Sequence, residues 1–362
     1  METISFAGEG LHPELLPASK ELADCAGTAL AEDGKRILSY GTGAGYTPLR
    51  ELVAEQHGVH PFRVLVTNGW LQGLALVADR LARSASVAVE YPTYDEALRL
   101  LFGVSASMLY IDWSEEGLGV EAFEATMRVS GRPSFAYLMP TFQNPTGMTM
   151  SEDDRWALGK MFTRTGTPML EDDTYGLLRF EGEPNRTLFE LSEKTCMYST
   201  SYSLTIAPGL RVGVFILPDD LAGELATKAN SIYISPALLS QATVFEFIRR
   251  GSFAPHLEQL TAKLKERRDT LTAALSKHLP EAGYIPPEGG IFLFLRLPVG
   301  TNAKAVLERA DGVTARAAEP GLGLPHTLRL NFAEPALDEI EAGVERLAAA
   351  FHEPAPETSG DW

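Results

Sequence analysis

MYSTSYSLTIAPGLRVGVFIL, residues 197–217, is the stretch on which the reading of this chain turns. Cys196 to Thr200 reads as a short buried strand and Val212 to Leu217 as a second, since brief apolar runs bounded by turn residues carry that signal. Between them runs a Ser- and Gly-rich loop punctuated by Pro208-Gly209, with Arg211 at its exit. A loop of this kind between two buried strands places polar side chains at the edge of a sheet.

Upstream, strand and helix signals alternate. VLVT from Val64 is followed by a helical pattern from Trp70 to Leu81, SVAVE by one from Tyr94 to Leu101, and ASMLYI by one near Glu121 to Met127. FAYLM, a helix from Glu152 to Phe162 and PMLE complete the series. Such alternation predicts an α/β fold whose mostly parallel central sheet is covered on both faces. Downstream, helical patterns span about Pro236 to Arg249 and Phe253 to His278. They are followed by a strand in GGIFLFLRL, a helix from Ala303 to Arg309, a strand in TLRLNFA and a helix from Leu337 to Phe351. The expected organisation is an N-terminal arm and helix (1–39, the helix from Leu16 to Leu30), a large domain (40–270), and a small α+β domain (271–352) that also takes in the N-terminal arm. The Pro-rich tail 353–362 is predicted to be disordered.

Composition narrows the function. The 362 residues carry a formal net charge of -17, which argues against a nucleic-acid or anionic-membrane surface. Two cysteines, Cys25 and Cys196, are too few for a disulfide framework and fit a reducing cytoplasm. The opening METISFAGEGLHPELLP lacks a basic region followed by an apolar core, so no signal peptide is expected, and no apolar run approaches a membrane span. GTGAG at 41–45 is a weak dinucleotide fingerprint because no strand precedes it. His57 and His60 have metal-ligand spacing without partners and read as a solvated helix end, so no metal site is expected.

The 197–217 stretch resembles the cofactor loop of the fold-type-I, pyridoxal-phosphate-dependent aminotransferases of class I/II, whose pattern is roughly G-S-F-S-K-T-L-A-P-G-L-R-V-G. Ser201, Tyr202, Ser203, Thr205, Ala207, Pro208, Gly209, Arg211 and Gly213 match it, and Leu204 stands where that family has its Schiff-base lysine. Four further landmarks agree. PTFQNPTG places Asn144 at the position that meets the pyridine 3-oxygen, and EDDTYGLL places Asp172 at the ring nitrogen with Tyr175 beside the 3-oxygen. YPTY places Tyr94 where an aromatic ring stacks on the cofactor. HTLRLNFA places Arg329 where a guanidinium holds an amino-acid carboxylate. The resemblance covers nearly the whole chain and implies a fold-type-I architecture. It also implies a homodimer, in which Tyr40, in YGTGAGYTPLR, reaches across to the partner's phosphate site. No helix-turn-helix precedes the motif, so the transcription regulators that carry this domain are not expected.

Two departures coincide. Leu204 cannot form an imine or move a proton. In TNGWLQGL, Gly69 is kept, but Trp70 and Leu71 replace the serine and glutamine that cradle phosphate at a helix N-terminus, and Trp70 is expected to crowd that cup. The nine lysines lie in polar contexts; Lys194 and Lys228 are nearest in sequence. The expectation is therefore an enzyme acting on an amino acid or amine without a covalently bound cofactor. Its chemistry would be an imine-forming, Pictet–Spengler-like condensation with an aldehyde or ketone in specialised metabolism. In that scheme Asp172, Tyr175 and Tyr94 serve the chemistry, while Arg329, Trp70 and Asn144 bind substrate. Gly69, Ser201, Ser203 and Arg211 would be the remaining cofactor positions. Noncovalent binding of pyridoxal or pyridoxamine phosphate, and a catalytically silent binding or scaffold protein, stay open beside it.

Overall fold

The computed structural model describes residues 3–114, 117–193, 195–317 and 324–353. Its strands, in chain order, are β1 (Ile4–Ser5), β2 (Val64–Asn68), β3 (Ser86–Tyr91), β4 (Ser107–Ser114), β5 (Gly117–Leu118), β6 (Phe135–Leu138) and β7 (Met169–Asp172). They continue as β8 (Met197–Ser201), β9 (Val212–Ile216), β10 (Phe292–Arg296), β11 (Val313–Thr314), β12 (Arg316–Ala317) and β13 (Thr327–Asn331). Eight of them form the central sheet in the order β2-β9-β8-β7-β6-β3-β4-β5. β4, β3, β6, β7 and β8 run parallel, whereas β9 is antiparallel to both β8 and β2.

The near-continuous apolar strands are explained by burial on both faces. Val87, Val89, Phe135 and Tyr137 feed one core, and the intervening Ala88, Ala136 and Leu138 feed the other. That division is the period-two alternation of strand side chains. The expected mostly parallel, doubly covered sheet is present.

Of the first four helices, α1 (Ser19–Ile37), α2 (Thr47–His57), α3 (Trp70–Leu81) and α4 (Asp95–Gly103), the N-terminal ends of α3 and α4 border the main cavity. The sequence reading missed one helix of 15 residues, Asp219–Tyr233. Its buried stripe, Leu221, Ala222, Leu225 and Ala229, is half alanine and so gives little hydrophobic contrast. The acidic pair Asp219-Asp220 after Pro218 was an available start signal. His57 ends α2 as expected and is half-buried, its ring packing 4.9 Å from that of Tyr198. His60 caps the following turn by accepting from Phe62 N. Among the described residues no cluster of metal-ligating side chains occurs, and no helix is long and apolar enough to cross a membrane.

At the other end, β10, β13 and β12 form an antiparallel sheet, and the N-terminal β1 pairs with β11 in parallel. The arm that follows β1 is thereby brought, at Glu9 and Gly10, to the carboxyl ends of the parallel strands. Lys194 and residues 354–362 of the tail lie outside the described residues.

Candidate active site

A cavity of about 320 Å³ opens at the carboxyl ends of the parallel strands. Asp172 arrives from the end of β7, Ser201 from the end of β8, and Ser203 and Leu204 from the loop that follows. Trp70 and Leu71 come from the first turn of α3, and Tyr94 from the residue before α4. Crevices at this end of open α/β sheets are where such folds bind ligands, because the connecting loops converge there.

One end of the cavity is cationic. Gly69, at φ +84, caps α3 without a side chain, and a Cβ there would collide with the Arg211 guanidinium. Gly213 of β9 allows the same close approach from below, since a Cβ would meet the Trp70 backbone nitrogen at 2.6 Å. Arg211 is exposed; its Nη1 donates to Ser203 Oγ at 3.5 Å and Pro208 O at 3.4 Å, and among the described residues no carboxylate pairs with it. Ser201 Oγ donates to Val212 O and accepts from Ser203 N. A helix N-terminus beside an unpaired guanidinium suits an anion.

Trp70 corrects an expectation. It lines the cavity, but its side chain turns toward the sheet, where Nε1 donates to Ser199 Oγ at 2.9 Å. The indole stacks on Phe215 at 6.2 Å and packs beside Tyr137 (5.6 Å) and Tyr94 (6.2 Å). Room for this comes from Gly73, where a Cβ would run into the Phe215 ring. The indole is thus a wall of the cavity, and the cup at Gly69 and Arg211 stays open.

Asp172 is fully buried. Tyr137 OH donates to its Oδ2 at 3.0 Å, and Thr174 N (3.1 Å) and Oγ1 (2.5 Å) donate to its Oδ1. Burial outweighs these bonds and pushes its pKa up to about 7. Burial likewise raises the phenols of Tyr94 and Tyr175, with Glu9 contributing to both, so each stays protonated at neutral pH. Asn144 is buried; its Oδ1 accepts from Arg329, and its Nδ2 has no hydrogen-bond partner among the described residues.

A second, smaller pocket lined by Asn144, Arg316 and Arg329 holds a feature absent from the sequence reading. Arg329 Nη1 lies 2.8 Å from Glu9 Oε1, and its Nη2 donates to Ala7 O at 3.1 Å and Gly8 O at 3.4 Å. Its guanidinium rests 4.2 Å above the Phe292 ring centroid. Glu9 also lines the main cavity. A charged residue amid Gly8, Gly10 and apolar neighbours was the signal that could have marked it. Tyr40, by contrast, is 83% exposed and does not line the cavity of its own chain.

Leu204 lines the cavity, and no lysine does so among the described residues. Lys228 pairs with Asp79, Lys265 with Glu181, Lys277 with Glu341, and Lys263 donates to Glu14 O. Groups that would hold pyridoxal phosphate without a covalent bond are present: Arg211 for phosphate, the orphaned Asn144 Nδ2 for the ring oxygen, and Asp172 for the ring nitrogen. The primary amine that would hold it covalently does not line the site.

The fold and this constellation define the fold-type-I architecture of pyridoxal-phosphate-dependent enzymes. The chain belongs to the family "Aminotransferase class I and II", whose model matches residues 7–347. It is 34% identical over 359 residues to a 2-aminoadipate transaminase of Thermus thermophilus, covering 96% of this chain and 90% of that one. With aromatic-amino-acid aminotransferase 1 of Thermococcus litoralis it shares 28% over 370 residues, covering 97% and 88%. The crystal structure of an α-aminoadipate aminotransferase, also of Thermus thermophilus and complexed with N-(5'-phosphopyridoxyl)-L-leucine, superposes with a TM-score of 0.90 at 33% identity. That match covers 96% of this chain and 92% of the other.

Proposed function

We propose that this chain acts on an amine or amino acid through imine-forming condensation with an aldehyde or ketone, without a cofactor linked to the protein. The observation that carries the reading is Leu204 in a cavity that retains Asp172, Tyr175 and Tyr94. The reaction balances without further reactants: the amine nitrogen attacks the carbonyl carbon, loses its protons, and the carbonyl oxygen departs as water. Asp172, with a pKa of about 7, can take and return a proton near neutrality. Trp70 and Tyr94 give the carbonyl partner an apolar wall. Holding both reactants in one crevice supplies the rest.

A second reading rests on the unpaired Arg211 and the orphaned Asn144 Nδ2. These favour pyridoxamine or pyridoxal phosphate held noncovalently, whose bound ring would act as an electron sink. The exposed Tyr40 (83%) and Leu38 (78%), with Ile232 and Ile234 nearby in the fold, favour a homodimer with the site at its interface. One experiment separates the two chemical readings: record the absorbance of the purified protein before and after borohydride, then incubate it with an amine and an aldehyde and trap the imine with cyanoborohydride. Rate-enhanced trapping without a pyridoxyl chromophore supports condensation. A chromophore that dialysis removes supports the noncovalent cofactor, and a pyridoxyl group fixed to a lysine overturns both.

A further inference from the structure

Asp172 meets the cavity with its carboxyl gripped from two sides. Oδ1 accepts twice from Thr174, two residues on, so that grip comes with the local chain. Oδ2 accepts from Tyr137 OH at 3.0 Å, across 35 positions of sequence, a bond that depends on how β6 and β7 pair. Tyr137 is fully buried, and its ring lies 5.6 Å from the indole of Trp70. The indole is fixed at its nitrogen: Nε1 donates to Ser199 Oγ at 2.9 Å, and that hydroxyl donates in turn to Glu171 O at 3.0 Å. Ser199 stands opposite Asp172 in the β7–β8 register, and its carbonyl accepts from Asp173 N at 2.8 Å. Trp70 therefore reaches the acid by two routes, through Tyr137 to the carboxyl and through Ser199 to the peptides on either side. Glu90 from β3, the adjoining Asp173 and the phenols of Tyr137 and Tyr175 face Asp172. Each of these is an acid, so the charged carboxyl depends on its hydrogen-bond donors.

We propose that Tyr137 and Trp70 are the positioning residues of Asp172: the phenol holds the carboxyl ionised and aimed into the cavity, and the indole holds the phenol. The tryptophan at the head of α3 thus serves the acid as well as the cavity wall. The proposal rests on the reading of Asp172 as the proton carrier of the condensation, and it names what fits that residue for the task.

The test reads Asp172 directly, through its carboxyl carbon resonance in protein labelled with carbon-13 aspartate, assigned with Asp172→Asn and followed against pH. Tyr137→Phe, which keeps the ring and removes the donor, should raise the midpoint by about one pH unit or more, as loss of a hydrogen bond to a charged group implies. Trp70→Ser should raise it as well, because the phenol loses its brace. Fluorotyrosine in place of Tyr137, a stronger donor of nearly the same shape, should lower the midpoint, and it carries the test if Tyr137→Phe folds poorly. Leu264→Ala, a large-to-small change at a buried position of the helix Phe253–His278, should lower the melting temperature and leave the midpoint in place. That control separates positioning from general loosening. A midpoint unmoved in Tyr137→Phe, or unmoved in Trp70→Ser, overturns the assignment and leaves imine trapping by the wild-type protein standing. If the midpoint moves as expected but Asp172→Asn traps the imine as fast as wild type, the proton-carrier reading falls and the hold on the carboxyl stands.

Discussion

Two arginines stand in two pockets, Arg211 on the main cavity and Arg329 on a smaller one that it shares with Asn144 and Arg316, and they are in different states. Arg211 is exposed, beside a helix N-terminus, with only a hydroxyl and a carbonyl for company. Arg329 is buried, its two terminal nitrogens tied by Glu9, Asn144 and two arm carbonyls and its plane backed by an aromatic ring, while its Nε has no hydrogen-bond partner among the described residues. Both sit at motif positions that the family resemblance associates with anions. The difference teaches that a guanidinium's position in a motif does not say what it holds. Its availability depends on whether the fold has already supplied an acceptor.

Several experiments would break or sharpen that contrast. The largest effect is expected at Asp172, on the main cavity. Asp172→Asn should slow imine formation by about 10²–10⁴-fold and abolish a rate inflection near pH 7. The same residue enters stability. Its folded-state pKa lies above the ordinary value of 3.8, so its contribution is complete at low pH and is lost as pH rises through about 7. Glu90 and Glu171, each pushed by burial to about 8, act in the same direction. The melting temperature should therefore fall as pH rises from about 4 to about 8, less steeply in Asp172→Asn, and a flat wild-type profile over that window would contradict these buried acids.

Next in size is the open end. Arg211→Ala should weaken pyridoxamine phosphate or inorganic phosphate by roughly tenfold or more, as loss of a charge-assisted hydrogen bond implies, while phenethylamine affinity stays within about twofold. Equal losses for both probes would mean that Arg211 does not mark a separate end of the cavity. Leu204→Lys should become reducible onto pyridoxal phosphate by borohydride, seen as a mass increment on residue 204, without efficient transamination. Fast transamination would show that Leu204 alone separates this cavity from a transaminase site. The smallest effect concerns the proposed dimer contact. Leu38→Asp should shift sedimentation toward monomer by placing a charge in an exposed apolar strip, and Arg211-dependent phosphate binding should weaken with it if Tyr40 completes that end. Monomeric wild-type protein would remove Tyr40 from the site.

The architecture was legible because its signals are local and redundant. The strands alternate between two cores as VLVT, SVAVE and FAYL suggest, and the helix beginning at Trp70 falls where its apolar spacing predicts. The helix Asp219–Tyr233 escaped notice because alanine supplies half of its buried stripe. The direction of Trp70 could not be read, since it is set by Phe215 entering the space over Gly73, a contact between residues 142 positions apart in sequence. Glu9 was hidden for a similar reason. Its partner lies 320 residues downstream, and no motif spans that separation.

The placement of Trp70 makes the protein its own optical probe. Its indole donates to Ser199 and lies beside Tyr94 on the cavity wall. Trp113 is buried in the opposite core, and Trp156 is exposed, stacked under Lys160 and Arg186. An aromatic aldehyde or an imine entering the cavity would therefore quench one emitter selectively. Candidate ligands can be sorted by emission alone, and Trp70→Phe supplies the blank.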